Sequence, residues 1–181
     1  YFEADRLDAA MGGNPWGVPR ALPGSHDLEL LQDCLRQWRQ GQDVLMPCFD
    51  KAKRQGRGDR DGWRCCKADL LILEGWFVGC RSTADSSADE PHLEEPLTPE
   101  ELKWRQKLQS VLARYEATWE CFDQLWQLRA RDFNAPLLWK RQQEATLQLE
   151  RGASLSDSDL ERFIRMILCS LPSSSFQTMR A

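Results

Sequence analysis

The chain has 181 residues, of which 41% are hydrophobic and 29% charged, and its formal net charge is −4. This length and balance fit one soluble globular domain with a real core, and the charge gives no general attraction for nucleic acid or an anionic membrane. No apolar run approaches the roughly 20 residues of a membrane span and no signal segment opens the chain, so we expect a cytoplasmic protein.

The cysteine pattern predicts reduced thiols. There are seven cysteines, an odd number, without a C-x-x-C pair, and only two histidines. A structural zinc site needs four nitrogen or sulfur ligands, usually in short paired spacings, and this pattern does not supply them. The adjacent Cys65 and Cys66 are either redox-sensitive or incidental thiols.

The first predicted helix covers about Leu28 to Gln40. Asp27 is a favourable N-cap, and Gly41 follows the last residue. A short strand at about Asp43–Met46 leads into a predicted loop from Pro47 to Trp63. Cations in or just beyond this loop outnumber its acids, and they are Lys51, Lys53, Arg54, Arg57, Arg60 and Arg64. Such a loop is either a solvated surface or a site for an anion.

A second strand is predicted at Asp69–Leu73. This run is apolar without alternation, as expected for a strand of a parallel sheet covered on both faces. Glu74 and Gly75 follow it, at the end of the strand where open α/β sheets bind their ligands. A carboxylate there suits a magnesium-bound water or a phosphate acceptor. The alternative is that Glu74 caps a neighbouring helix.

Residues 82–97 are rich in acids, serine and proline, which predicts a mobile acidic loop. Thr98, Pro99 and Glu101 then form the pattern of a capping box with proline at the first helical position, so a helix begins here. Further elements are predicted as a strand at Asp123–Ala130, a helix from Pro136 to about Arg151 that stops at Gly152, and a helix from Ser156 to before Pro172. The tail, residues 173–181, is predicted to fray.

Several short motifs occur in an order that resembles a known family. In chain order they are Gly24–Asp27, Leu45–Lys51, Arg57–Arg60, Trp63 and Leu73–Gly79. Together they resemble the glycerate kinase family of the plant and bacterial D-glycerate 3-kinase type, within the P-loop kinases. The resemblance runs from about Asn14 to about Phe163, and its specificity comes from several motifs at similar spacing.

The resemblance implies an α/β fold, a partial P-loop kinase fold with a mostly parallel sheet flanked by helices, in a single domain at residues 1–172. It departs from the family in one respect, because no Gly-Lys pair occurs anywhere and the phosphate-binding loop G-x-x-x-x-G-K-[ST] is missing. The resemblance would put that loop and its N-terminal strand upstream of Tyr1. We therefore expect the acceptor and lid portion of a kinase, as a fragment or a truncated relative, inactive by itself.

The implied function of the intact protein is phosphorylation of a small hydroxy acid, D-glycerate, with ATP and Mg²⁺. Two alternatives stay open, namely a P-loop kinase for a nucleoside or pantothenate, and a degenerate binding remnant without catalysis. The sequence does not indicate an oligomeric state.

Candidate site residues combine chemistry and resemblance. The planar guanidinium of arginine can donate two parallel hydrogen bonds to a carboxylate. This favours Arg57 and Arg60 as ligands of the carboxylate of the acceptor substrate. Asp59 is either a hydroxyl acceptor or an ordinary turn residue. The resemblance adds His26 and Lys51 near the substrate, Glu74 as the catalytic and indirect magnesium residue, and Lys140 and Arg141 on a lid helix that holds ATP. Lys140 stands where the family usually has arginine, so its grip on phosphate is weaker. The alternative is that Lys140 and Arg141 are simply exposed charged residues on an amphipathic helix.

Overall fold

The computed structural model describes residues 1–87, 90, 93–130, 135–151 and 155–177. These residues form six helices and two strands, in the order α1 (Ala4–Met11), α2 (Leu28–Arg39), β1 (Val44–Asp50), β2 (Asp59–Cys66), α3 (Pro99–Trp119), α4 (Ala135–Arg151), α5 (Asp157–Ser170) and α6 (Ser173–Gln177). Among these helices, none has both the length and the apolar character needed to cross a bilayer.

Four helices follow the sequence prediction. Asp27 caps α2 by accepting a hydrogen bond from the Leu30 N–H, and Ser156 caps α5 in the same way at Asp159. α3 begins with the predicted capping box, because the Thr98 side chain accepts from the Glu101 N–H while Glu101 accepts from the Thr98 N–H. The predicted lid helix is α4, and the expected stop at Gly152 lies outside the described residues.

The core forms where α1, α3 and α5 pack with the chain around Leu22 and Phe77. Leu7 of α1, Leu112 of α3 and Met166 of α5 are each fully buried. The sequence analysis did not predict α1, which is only 8 residues long. Burial of apolar side chains at this junction supplies most of the stability of such short helices.

Glu101 ties three parts of this core together. Beyond the capping box, it binds the Arg165 guanidinium of α5 at 2.7 Å and accepts from the Trp16 indole at 2.9 Å. The hydrogen bond from Arg165 lowers the pKa of Glu101 to about 2, despite the opposing effect of burial, so the carboxylate is charged at neutral pH.

The strands form one antiparallel hairpin, which corrects the predicted loop at Pro47–Trp63. The short strand is confirmed but continues to Asp50, and the second half of the predicted loop is β2. The two strands pair from Val44 opposite Cys66 to Asp50 opposite Asp59, with an irregularity after Pro47. β2 has no alternating apolar pattern, so the sequence signal for a strand was absent.

Two strand predictions are wrong for the described residues, and with them the mostly parallel sheet. Asp69–Leu73 and Asp123–Ala130 have no strand pairing. Instead of lying in a sheet, Ile72 is 81% exposed and Leu128 is 98% exposed. An apolar run becomes a buried strand only when neighbouring strands satisfy its backbone. No described segment supplies that neighbour.

The described parts of the acidic loop and of the tail contact the helices. In the described part of 82–97, Glu90 is buried and pairs with Arg105 at 3.1 Å, and Ser82 binds Glu116. In the predicted frayed tail, Ser173–Gln177 forms α6, and Phe176 packs against the core. A buried ion pair of this kind stabilises only when both partners are present, so the pair connects Glu90 to α3.

Candidate functional site

Tyr1 and His26 form the centre of the candidate site. Their rings stack with centroids 4.5 Å apart, and Phe49 of β1 lies 4.8 Å from Tyr1 on another side. Burial lowers the pKa of His26 to about 3, so the imidazole is neutral at physiological pH. Its Nδ1 lies 3.3 Å from the Ser25 hydroxyl. His26 is thus an uncharged, aromatic part of the site.

Arg60 joins three elements at this centre. Its Nη2 donates to Asp27 at 2.7 Å, its Nη1 lies 2.9 Å from Glu3, and its Nε donates to the Tyr1 carbonyl at 3.3 Å. Asp27 is at the same time the cap of α2. All donor nitrogens of the Arg60 guanidinium therefore have protein acceptors, which links β2 to the starts of α1 and α2.

The other predicted acceptor residues of this hairpin contact α1. Asp59 accepts from the Ala4 N–H at 3.1 Å, and so holds the first turn of α1. Arg57 donates to Asp8 at 2.8 Å, and Arg54 binds the same carboxylate. These hydrogen bonds lower the pKa of Asp8. The structure thus brings Asp59, Arg57 and Arg60 together, but each makes protein contacts.

Glu74 is an exposed carboxylate that acts on the Tyr1 phenol. It has no hydrogen bond or ion pair with the described residues. Burial raises the pKa of the Tyr1 phenol, the Arg20 guanidinium opposes this rise, and the Glu74 carboxylate adds to it. Both charges therefore lie within electrostatic reach of the phenol. We call Tyr1, Arg20 and Glu74 the Tyr1 cluster.

Arg20 is the site residue that sequence reasoning missed. Its Nη1 donates to the carbonyls of Gly56 and Arg57, at 2.6 and 3.0 Å. Within the described chain it has no carboxylate partner, so its charge is free to attract an anion. Its only sequence signal was its place a few residues before the Gly24–Asp27 motif.

Gly58 gives this region its close packing. Its φ is +83°, and a Cβ there would meet the Phe49 ring at 2.5 Å and Arg20 at 3.4 Å. Any larger residue would displace the Phe49 ring, which packs on Tyr1, and crowd the Arg20 guanidinium.

The remaining predicted residues lie apart from these contacts. Lys51 is exposed after β1. On α4, Lys140 pairs with Glu144 at 2.7 Å and lies 5.7 Å from the Phe163 ring of α5, while Arg141 is exposed. Lys140 is therefore partly neutralised by its own helix.

Comparison with known proteins identifies kinases as relatives, while no protein-family model matches the chain. The chain is 29% identical over 166 residues to the uncharacterized kinase mug58 of Schizosaccharomyces pombe, and 42% identical over 69 residues to the probable ATP-dependent kinase TDA10 of Saccharomyces cerevisiae. It is 26% identical over 168 residues to the chloroplastic D-glycerate 3-kinase of Arabidopsis thaliana.

These matches cover 83%, 33% and 86% of this chain, in the same order, and 57%, 24% and 34% of the relatives. The chain thus spans less than two thirds of the length of each relative. All three relatives are named as kinases, and the name of TDA10 includes the use of ATP.

A solved structure has the same fold. The D-glycerate 3-kinase of Cryptococcus neoformans matches with a TM-score of 0.79 and 23% sequence identity, over 94% of this chain and 64% of that one. The α/β fold class predicted from the sequence is therefore confirmed, although the described residues form only a two-stranded sheet.

Proposed function

We propose, from the premise that this chain is related to the glycerate kinase-like P-loop kinases, that the intact protein transfers the γ-phosphoryl group of ATP to a hydroxyl of D-glycerate. By the intact protein we mean this chain together with a nucleotide-binding segment, which the additional length of the relatives would accommodate. In this proposal the chain supplies acceptor recognition and a lid.

The observation that carries the proposal is the Tyr1 cluster. A half-buried guanidinium without a carboxylate partner lies close to the same phenol as an exposed carboxylate. A small hydroxy acid carries one carboxylate and its hydroxyls within a few bonds, and so matches a cation and an anion that both act on one phenol. Arg20 would bind the acceptor carboxylate, and Glu74 would face the reacting hydroxyl.

Glu74 suits the proton transfer of such a reaction. As the acceptor oxygen attacks the γ-phosphorus, its proton passes to a nearby base and the bond from phosphorus to the leaving oxygen of ADP breaks. Glu74 is exposed and lacks a protein partner, so its oxygens are free to take that proton or to hold a magnesium-bound water. Magnesium would supply charge neutralisation on the phosphates.

The surrounding residues would position the acceptor rather than react. His26 is neutral and stacked on Tyr1, so it offers a hydrogen-bonding edge without charge. Arg60 is held by Glu3 and Asp27, and so would fix the backbone of Tyr1. Asp59 and Arg57 would act through α1, by holding its first turns. We propose three further side chains as phosphate ligands because each carries a positive charge. They are Lys51, Lys140 and Arg141.

The chain does not supply a complete nucleotide site. A phosphate cradle of the P-loop type needs a Gly-Lys pair, and this sequence has none. On α4, Lys140 would have to exchange its contact with Glu144 for a phosphate. The proposal therefore assigns ATP binding to the intact protein and acceptor binding to this chain.

The test is an assay of the intact protein with Mg-ATP and D-glycerate, pantothenate or uridine, with the phosphorylated product identified by mass spectrometry. We expect product from D-glycerate. Arg20→Ala should raise the acceptor KM about tenfold, equivalent to about 1.4 kcal/mol, with little change in the KM of ATP. The matched control Arg64→Ala changes an exposed arginine of β2. If only pantothenate or uridine were phosphorylated, the substrate would not be a hydroxy acid such as D-glycerate. If none of the three were phosphorylated, a non-catalytic remnant would be favoured.

A further inference from the structure

Ala21, the residue after Arg20, has a backbone conformation that alanine rarely adopts. Its φ is +82°, in the left-handed region, and the residue is buried. In this region the Cβ of an L-residue lies close to the following carbonyl oxygen, so the conformation persists only where surrounding contacts hold it. Strained backbone of this kind is concentrated at functional sites. Whatever holds Ala21 also influences the direction of the Arg20 side chain.

The contact that holds Ala21 comes from Trp76. The Trp76 indole Nε1 donates to the Ala21 carbonyl at 2.8 Å, across 55 positions of sequence. The indole ring packs against Phe77, with centroids 5.3 Å apart, and against Phe176 of α6 at 6.3 Å. An indole has a single hydrogen-bond donor, and this one fixes the carbonyl of the strained residue.

A tight turn fixes the direction of Trp76 itself. The Gly75 carbonyl accepts from the Val78 N–H at 3.3 Å, and the Phe77 carbonyl accepts from the Cys80 N–H at 3.0 Å. Cys80 is fully buried, and a Cβ at Gly75 would meet the Val78 side chain at 3.0 Å. Trp76 therefore extends from a hydrogen-bonded turn that is anchored in the core.

The other end of Arg20 is held by the β1–β2 hairpin. Its Nη1 donates to the carbonyls of Gly56 and Arg57, at 2.6 and 3.0 Å. The side chain thus has one anchor at its guanidinium and a second, through Ala21, at its backbone. Both anchors use carbonyl acceptors, so neither neutralises the positive charge.

From these contacts we propose that Trp76 is a positioning residue, which directs the Arg20 guanidinium toward the acceptor through the carbonyl of Ala21. The part of this inference that concerns the acceptor rests on the proposed function. Without the indole N–H, Ala21 would relax to a negative φ, and the Arg20 side chain would turn away from the carbonyls of the hairpin. Trp76 stands two positions after Glu74, so one hydrogen bond joins the segments that carry the cation and the carboxylate of the proposed site.

The first test follows Arg20 itself, by NMR of the full-length protein labelled with ¹⁵N-arginine, without ATP or acceptor. Arg20→Lys assigns the Arg20 guanidinium resonances. Trp76→Phe keeps an aromatic ring but removes the donor, and we expect the Arg20 resonances to move and to exchange faster with water. Trp119→Phe is the matched control, because the Trp119 indole also donates to a backbone carbonyl, that of Cys80 at 3.0 Å. It should leave the Arg20 resonances in place.

A double variant separates the role of Ala21 from a general loss of packing. Glycine adopts a positive φ without a steric cost, so Trp76→Phe/Ala21→Gly should bring the Arg20 resonances back toward their positions in the parent. The proposal is overturned if Trp76→Phe leaves these resonances in place, if Trp119→Phe moves them as far, or if the double variant brings no return.

Kinetics of the intact protein test the consequence for the acceptor. Trp76→Phe should raise the KM of D-glycerate about fivefold, as expected for the loss of one hydrogen bond, and leave the KM of ATP unchanged. Trp119→Phe should change neither KM. A purely structural role of Trp76 would lower the amount of active enzyme without this selective rise, and that result would overturn the positioning of the acceptor. If D-glycerate were not phosphorylated at all, the proposed function would fail, while the NMR result would still decide whether Trp76 positions Arg20.

Discussion

Arg60 and Asp27 form an ion pair of 2.7 Å, with side chains that are only 18% and 12% exposed. Asp27 also caps α2, and Arg60 also binds Glu3 and the Tyr1 carbonyl. The pair therefore connects β2 to the starts of α1 and α2 and holds Tyr1 against His26. Direct contact between Arg60 and the acceptor stays a prediction. The contacts of Arg60 with Glu3, Asp27 and the Tyr1 carbonyl also give it the role of positioning Tyr1.

Breaking this pair should cost stability in a coupled way. Asp27→Asn keeps a capping oxygen but leaves Arg60 with the more exposed Glu3 in place of its buried charge partner, so we expect a loss of about 2 kcal/mol in the free energy of unfolding. Arg60→Ala should lose a similar amount, and the double variant should lose less than the sum. Urea denaturation measures all three. Asp33→Asn breaks the exposed pair of Asp33 with Arg36 and should cost far less. Strictly additive losses would show that the two side chains do not act as a unit.

Glu74→Gln should separate catalysis from folding. Glu74 is exposed and makes no hydrogen bond with the described residues, so the variant should keep the melting temperature of the parent. Loss of a positioned base should lower kcat about 100-fold or more in the intact protein. Asp69→Asn is the matched control, because it removes another exposed carboxylate of the same extended segment. The catalytic assignment fails if both variants lose activity equally.

His26 predicts how stability depends on pH. Its pKa falls to about 3 in the folded protein because the ring is buried, and it is about 6.5 when unfolded. Between these values the unfolded chain binds more protons, so the contribution of His26 to stability is complete above pH 6.5 and is lost as the pH falls toward 3. We expect the parent to lose about 1 kcal/mol more than His26→Gln between pH 7 and pH 5, after a discount for partial exposure of the ring.

Denaturation of the parent and of His26→Gln at both pH values measures this difference. If His26→Gln and the parent lost the same amount between pH 7 and pH 5, the imidazole would not be the neutral buried group described above.

Sequence reasoning succeeded where the signal was local. The caps at Asp27, Thr98 and Ser156 are each satisfied by a residue three positions away, so a short window contains all the information. It failed where the outcome depended on a distant partner. The contacts of Asp59 with α1 and the charge balance at Arg20 depend on residues many positions away in sequence. The apolar run at Asp69–Leu73 has the composition of a strand, but pairing also needs a neighbour, and composition cannot supply one.

The two unpaired apolar segments predict self-association of residues 1–181 expressed alone. Leu70 and Ile72 in one segment, and Trp126 and Leu128 in the other, are 73%, 81%, 83% and 98% exposed. Extended segments with free backbone groups and apolar side chains pair readily with other chains. The double variant Leu70→Lys/Leu128→Lys should therefore bind less of the dye ANS and remain monomeric at higher concentration in analytical ultracentrifugation. Leu149→Lys, at an exposed leucine of α4, should change neither. A sharp cooperative melt of the unmodified chain as a monomer without ANS binding would contradict this prediction, because it would mean that the exposed segments are already satisfied within one molecule.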